Sequence, residues 1–139
     1  MTAWLLDTGP LVAFFDRSDA SHEWAREQWT QAPLPMLTCE AVLAEAAYLL
    51  REHAGLPGQK LLALFERKII TAPFSLEAHA GVVSRLLERY SDQEMQLADA
   101  CLVRMSELTR DSRVFTLDKR EFQVYRRFER QVIPLVVPE

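Results

Sequence analysis

Short apolar runs alternate with amphipathic stretches of helical period along this chain, and that alternation restricts its fold more than any other feature. Residues 3–6, 36–37, 69–72 and 114–117 read as four strands, and residues 132–137 as a fifth that Pro134 confines to a sheet edge. Between the first two, Thr8 is placed to cap a short helix with Pro10 in its first turn, and "SDASHEWAREQWTQA" is amphipathic. "TCEAVLAEAAYLLREHAG" then runs from a Thr38 cap to a Gly55 stop. "PGQKLLALFERK", "SLEAHAGVVSRLLERY" with Ser75 as its cap, and "SDQEMQLADACLVRMSELTRD" complete the helical set. Strands separated by helices predict an α/β sandwich around a mainly parallel sheet.

At 139 residues the chain is expected to form one domain over 1–139, and 49% hydrophobic with 26% charged residues is the composition of a globular protein. A formal net charge of -4 argues against coating nucleic acid through bulk basicity, and leaves open action at a local site. Cys39 and Cys101 lie inside apolar helical patterns without framework spacing, so reduced core thiols and an intracellular location are expected. The first apolar run has no preceding Lys or Arg and is interrupted by Asp7, unlike a signal peptide. No stretch approaches the ~18 apolar residues of a membrane span. The expectation is a soluble, cytoplasmic protein with no membrane contact.

Sites in parallel sheets form beyond the carboxyl ends of the strands. Asp7 follows the first run directly, where an ionised carboxylate costs several kcal/mol unless it is partnered. Asp118 follows "VFTL" in the same relation. On a helical wheel, Glu45 falls on the shoulder of the apolar stripe made by Cys39, Val42, Ala46 and Leu50, whereas Glu40 and Arg51 face water. Asp99 takes the same shoulder position beside Ala98, Cys101, Leu102 and Met105, with Asp92 earlier on that edge. Asp7, Glu45, Asp99 and Asp118 thus border one crevice. Like charges gathered there are relieved by Mg²⁺ or Mn²⁺ through oxygen ligands, and such an ion, retaining waters, suits phosphodiester hydrolysis.

The stretches "LLDTGPLVAFFD", "VLAEAAYLL", "LADACLV" and "VFTLDKREF" resemble, in order and spacing, the four signature blocks of the PIN-domain ribonucleases. The VapC-like toxins of bacterial toxin–antitoxin pairs look nearest. The resemblance spans nearly the whole chain, and implies a three-layer α/β/α fold and a Mg²⁺- or Mn²⁺-dependent endoribonuclease. It puts Asp7, Glu45 and Asp99 at the family's metal-binding and catalytic acids. Asp118 takes a fourth position that varies more across the family. Thr8 and Thr116 match small hydroxyl residues found near that site. An RNA substrate, a cognate antitoxin protein and a homodimer are implied with it.

Plainer readings stand beside these. Asp7 before Thr-Gly-Pro suits a helix N-cap or a turn, Asp118 before Lys119 suits a cap, and Asp92 suits a cap better than a ligand. His22, His53 and His79 lack the spacing zinc requires, and the tryptophans read as core or subunit interface. Lys119, Arg120, Arg126, Arg127 and Arg130 stand against Glu121 and Glu129, a local excess of three positive charges. That segment is either a solvated face or an RNA-backbone contact. An aspartyl-phosphate phosphatase would need a second Asp where Gly9 stands, and a receiver domain an acidic pair and a late Lys-Pro that the chain lacks. A non-cleaving PIN-like module binding RNA or protein, and a housekeeping RNA-processing nuclease, are the alternatives. The first is expected to have lost one or more of the four acids, and all four are present.

Overall fold

A computed structural model describes all of residues 1–139. In chain order the first elements are β1 (Ala3–Leu6), α1 (Thr8–Phe15), α2 (His22–Gln31) and β2 (Met36–Leu37). They are followed by α3 (Glu40–Ala54), α4 (Gln59–Glu66), β3 (Ile70–Thr71), α5 (Ala80–Arg89) and α6 (Leu97–Leu108). The chain ends with β4 (Ser112–Phe115), α7 (Lys119–Val124), β5 (Arg126–Arg127), β6 (Gln131–Val132) and β7 (Leu135–Val136). Five strands form a parallel sheet in the order β3-β2-β1-β4-β7, flanked by the helices; β5 and β6 form a separate antiparallel hairpin.

The central strands are short and buried toward their carboxyl ends: Leu5, Leu6, Val114 and Phe115 expose nothing, as parallel strands covered on both faces require. Leu6 lies opposite Phe115, and the pairing continues past the strand end, where the Asp7 N–H donates to the Phe115 carbonyl at 2.9 Å. Trp4 and Trp24 pack their rings on Phe115, with centroids 5.2 and 5.6 Å away. The first two crossovers step outward from β1 to β2 to β3, and the third returns to place β4 on the other side of β1. The order therefore reverses between β1 and β4, and a crevice opens at the carboxyl ends of that pair.

The sheet and most helices agree with the sequence pattern, although β4 ends at Phe115 and not at residue 117, and the stretch after Ser75 opens as a 3₁₀ turn over Glu77–His79 before α5 begins; four further details differ. The cap of α1 is Asp7 and not Thr8: the Asp7 side chain accepts the Thr8 N–H. Thr38 does not cap α3, whose cap position is Cys39; the buried Thr38 hydroxyl instead donates to the Leu6 carbonyl at 2.9 Å, tying the end of β1 to that of β2. Residues 132–137 are not one strand. Val132 belongs to the hairpin, and only after Pro134 does the edge strand β7 begin, since proline cannot donate to a ladder. The helix read through Asp92 is broken: residues 91–93 form a 3₁₀ turn, Glu94 takes a positive φ of 54°, and α6 starts at Leu97. Gly55 does end α3, in the left-handed region at φ 63°. Cys39 and Cys101 are buried and unbridged.

Gly9, in the first turn of α1, faces the segment that leads out of β4. A Cβ there would stand 3.0 Å from both Cγ and Cδ1 of Leu117 and 3.1 Å from its Cβ, near the root of the side chain and not only at its mobile end. Gly9→Ala gains up to ~1 kcal/mol of helix propensity, but overpacking costs about 1–3 kcal/mol. A net loss of about 1 kcal/mol is expected in urea unfolding. A net gain would mean that Leu117 yields freely.

Candidate metal centre

Asp7 is brought to the crevice by β1 and held there by two hydrogen bonds. Its Oδ1 accepts the Thr8 N–H at 2.7 Å and its Oδ2 the Thr116 hydroxyl at 2.6 Å. Thr116, which exposes nothing, also accepts the Asp118 N–H at 2.9 Å. One hydroxyl therefore joins the acid at the end of β1 to the backbone of the acid beyond β4. Asp7 serves as cap and site residue at once, because the cap uses only one of its two oxygens.

Asp99 sits in the first turn of α6, where its Oδ2 accepts the N–H of Gln96 at 3.1 Å in a reciprocal capping box. The Tyr125 hydroxyl donates to the same oxygen at 3.3 Å. Asp118 stands at the cap position of α7, yet its side chain makes no cap bond, so the plainer reading of that residue fails. Each of Asp7, Asp99 and Asp118 offers a carboxylate oxygen within 4.8 Å of those of the others. Glu45 is not in this group. It is exposed at the rim, where its Oε1 accepts the Thr8 hydroxyl at 2.6 Å, but its charge reaches both Asp99 and Asp118. Asp92 lies exposed in the 3₁₀ turn and contributes nothing to the cluster.

The electrostatics follow from burial. Desolvation, opposed by the two hydrogen bonds and reinforced by Asp99 and Asp118, pushes the Asp7 carboxyl up to about 7. Burial first, then Asp118 and Glu45, raises Asp99; burial first, then Glu121 and Glu45, raises Asp118. Burial and the neighbouring Asp99 also push the Tyr125 hydroxyl up, so it remains a donor at neutral pH. Three hard oxygen donors close together, none neutralised by a basic side chain, fit a divalent cation such as Mg²⁺ or Mn²⁺. Tyr125 and Thr38 escape a reading by local pattern, since nothing near them in the chain indicates that one reaches Asp99 and the other Leu6.

The basic segment disperses. Lys119 and Arg120 are exposed in the first turn of α7, next to Asp118. Arg126 folds its guanidinium onto the carbonyls of Gln123, Val124 and Tyr125. Arg127 is turned to the end of α6, donating to the carbonyls of Ser106 at 3.1 Å and Arg110 at 2.9 Å, and Arg130 is exposed beside the hairpin turn. The five do not form one surface.

An acid whose folded pKa lies above its unfolded value holds its proton more tightly in the folded chain. Its contribution to stability is therefore complete below the unfolded pKa of about 3.9 and is lost as pH climbs through the folded one. For Asp7, at about 7, that window runs from about 4 to about 7 and is worth on the order of 4 kcal/mol, with Asp99 and Asp118 acting in the same direction. In EDTA the protein is expected to melt higher at pH 5.5 than at pH 8, and Asp7→Asn to remove most of that difference. Thermal melts across pH test this; an unchanged slope in the variant would place the buried proton elsewhere.

The chain matches the family model described as PIN domain over residues 4–127. It is 28% identical over 127 residues to the protein of Mycobacterium tuberculosis named Ribonuclease VapC26, covering 88% of this chain and 91% of that one. Its fold is similar to the crystal structure of VapC20 from Mycobacterium tuberculosis, described as a Sarcin-Ricin loop cleaving toxin. The TM-score is 0.74 at 19% identity, over 86% of this chain and 92% of that one. The four blocks, the paired ends of β1 and β4 and the acids at that switch point all lie within the matched span, and the chain belongs to the PIN-domain family.

Proposed function

We propose that this protein is a Mg²⁺- or Mn²⁺-dependent endoribonuclease of the VapC type, the toxin of a toxin–antitoxin pair. The observation that carries the reading is the convergence of Asp7, Asp99 and Asp118 at the switch point of a PIN-domain sheet. These three residues would hold the ion, and Glu45, held at the rim by Thr8, is the fourth acid of the site. When bound, the cation would supply Lewis-acid activation of water and neutralise charge developing on the phosphodiester. The chain's own part is preorganisation. Thr8 and Thr116 fix both oxygens of Asp7, while Gln96 and Tyr125 fix one oxygen of Asp99, so little reorganisation accompanies binding. Because Asp7 carries its proton near neutrality, cation uptake releases protons in that range. Lys119 and Arg120 supply positive charge beside Asp118 for the substrate phosphates.

The partners that go with this reading are an RNA substrate, a cognate antitoxin protein and a second copy of the chain in a homodimer, in the cytoplasm. No helix is long and apolar enough to cross a membrane.

Incubation with total cellular RNA tests the proposal directly. Cleavage is expected with Mn²⁺ or Mg²⁺ and not with EDTA, and Asp7→Asn or Asp99→Asn is expected to lower it by at least about 100-fold while the fold is retained. Activity that resists EDTA and survives both substitutions would sink it. For RNA binding, the Lys119→Gln/Arg120→Gln pair is expected to lower the log–log salt slope by about two, and Arg126→Gln to leave it nearly unchanged. The reverse ranking would move the contact from α7 to the hairpin.

A further inference from the structure

A second charged site lies at the opposite end of the central strands. A cavity of about 430 Å³ opens at the amino ends of β1 and β4, lined by Arg110, Arg113 and Arg127 with Asp111, Thr2 and Ser112. The four residues of β1, at ~3.3 Å each, separate it from the acids by more than ~10 Å. None of the three guanidinium groups is ion-paired: the salt bridges of the chain are Arg51–Glu52 and Arg104–Glu107. The single acid, Asp111, is engaged with Thr2, whose hydroxyl donates to its Oδ1 at 2.7 Å.

Two of the arginines are held in place by the fold. Arg127 is fixed through Nη1 by the Ser106 and Arg110 carbonyls, while its Nε is buried with no acceptor. The Arg110 guanidinium lies 4.8 Å over the Phe128 ring. Arg113 projects from β4, exposed and without a partner. Three cations against one acid leave a charge of +2 around the cavity, and it is concentrated there although the protein carries -4 overall. A phosphomonoester carries about -1.5 to -2 at pH 7, and guanidinium forks match phosphate oxygens in geometry.

We propose that this cavity is a phosphate-binding site separate from the metal centre. The group it takes is either a phosphate of a nucleic-acid strand or that of a free phosphomonoester. Inorganic phosphate is the probe, titrated into the full chain in EDTA at constant ionic strength and followed by amide shifts in two-dimensional NMR. Saturable shifts are expected at Thr2, Asp111, Ser112 and Arg113, with Asp7 and Asp99 unmoved. Arg113→Gln, which removes no internal contact, is expected to weaken binding by about tenfold or more at an unchanged melting temperature. Arg113→Lys, keeping the charge without the fork, is expected to restore only part of the affinity. Adenosine monophosphate and a short RNA without terminal phosphates separate the sources: the tighter binder identifies the natural one, and equal binding assigns the site to the phosphate group alone. A response to phosphate no larger than to chloride, or one unchanged in Arg113→Gln, would overturn the proposal.

Discussion

The hydrogen bond from the buried Thr116 hydroxyl to Asp7 is the contact on which the rest of the site depends. It lies where the pairing of β1 and β4 ends, and it satisfies the buried Asp7 oxygen that the Thr8 N–H does not reach. Because the same hydroxyl accepts the Asp118 N–H, its loss would leave a buried oxygen and a backbone donor both unpaired. The two strand ends are therefore set at one spacing, and Asp118 follows Asp7 into the crevice. Asp99 arrives by another route, from the first turn of α6, and is held there by that helix's own cap and by Tyr125.

This arrangement tolerates a destabilised centre. Three acids are raised by burial, and the protein stores that cost in the one place where a divalent cation would relieve it. The sheet has a polarity, with acids at the carboxyl ends of its central strands and arginines at the amino ends. The net charge of the chain describes neither end.

Much of the site is visible in the residue order, though not always for the right reason. Asp7 and Asp118 follow apolar runs, and strand ends in a parallel sheet form the crevice, so their convergence follows from topology. A wheel drawn on a helix that reaches back to Asp92 puts Asp99 on the right face, but α6 starts at Leu97, and the capping box orients Asp99. Glu45 satisfies the same wheel and yet sits at the rim, bonded to Thr8, because a wheel gives the face of a helix and not the distance across a crevice. The basic segment shows the limit most clearly: five charges adjacent in sequence are scattered over α7, its end, the end of α6 and a hairpin turn.

By itself the sequence determined the alternation of strands and helices, the parallel sheet, and which acids stand at strand ends. These follow from periodicity and from the aversion of buried strands to polar residues. Only the packing of the whole chain brings Thr116 to Asp7, Tyr125 to Asp99, and Arg127 to Arg110 and Arg113 at the amino ends of the central strands. Each of these joins residues from different elements, brought together only when the sheet order reverses between β1 and β4 and the C-terminal hairpin docks on α6. Local pattern encodes which face a residue occupies. What meets that face is set by the packing of the whole chain.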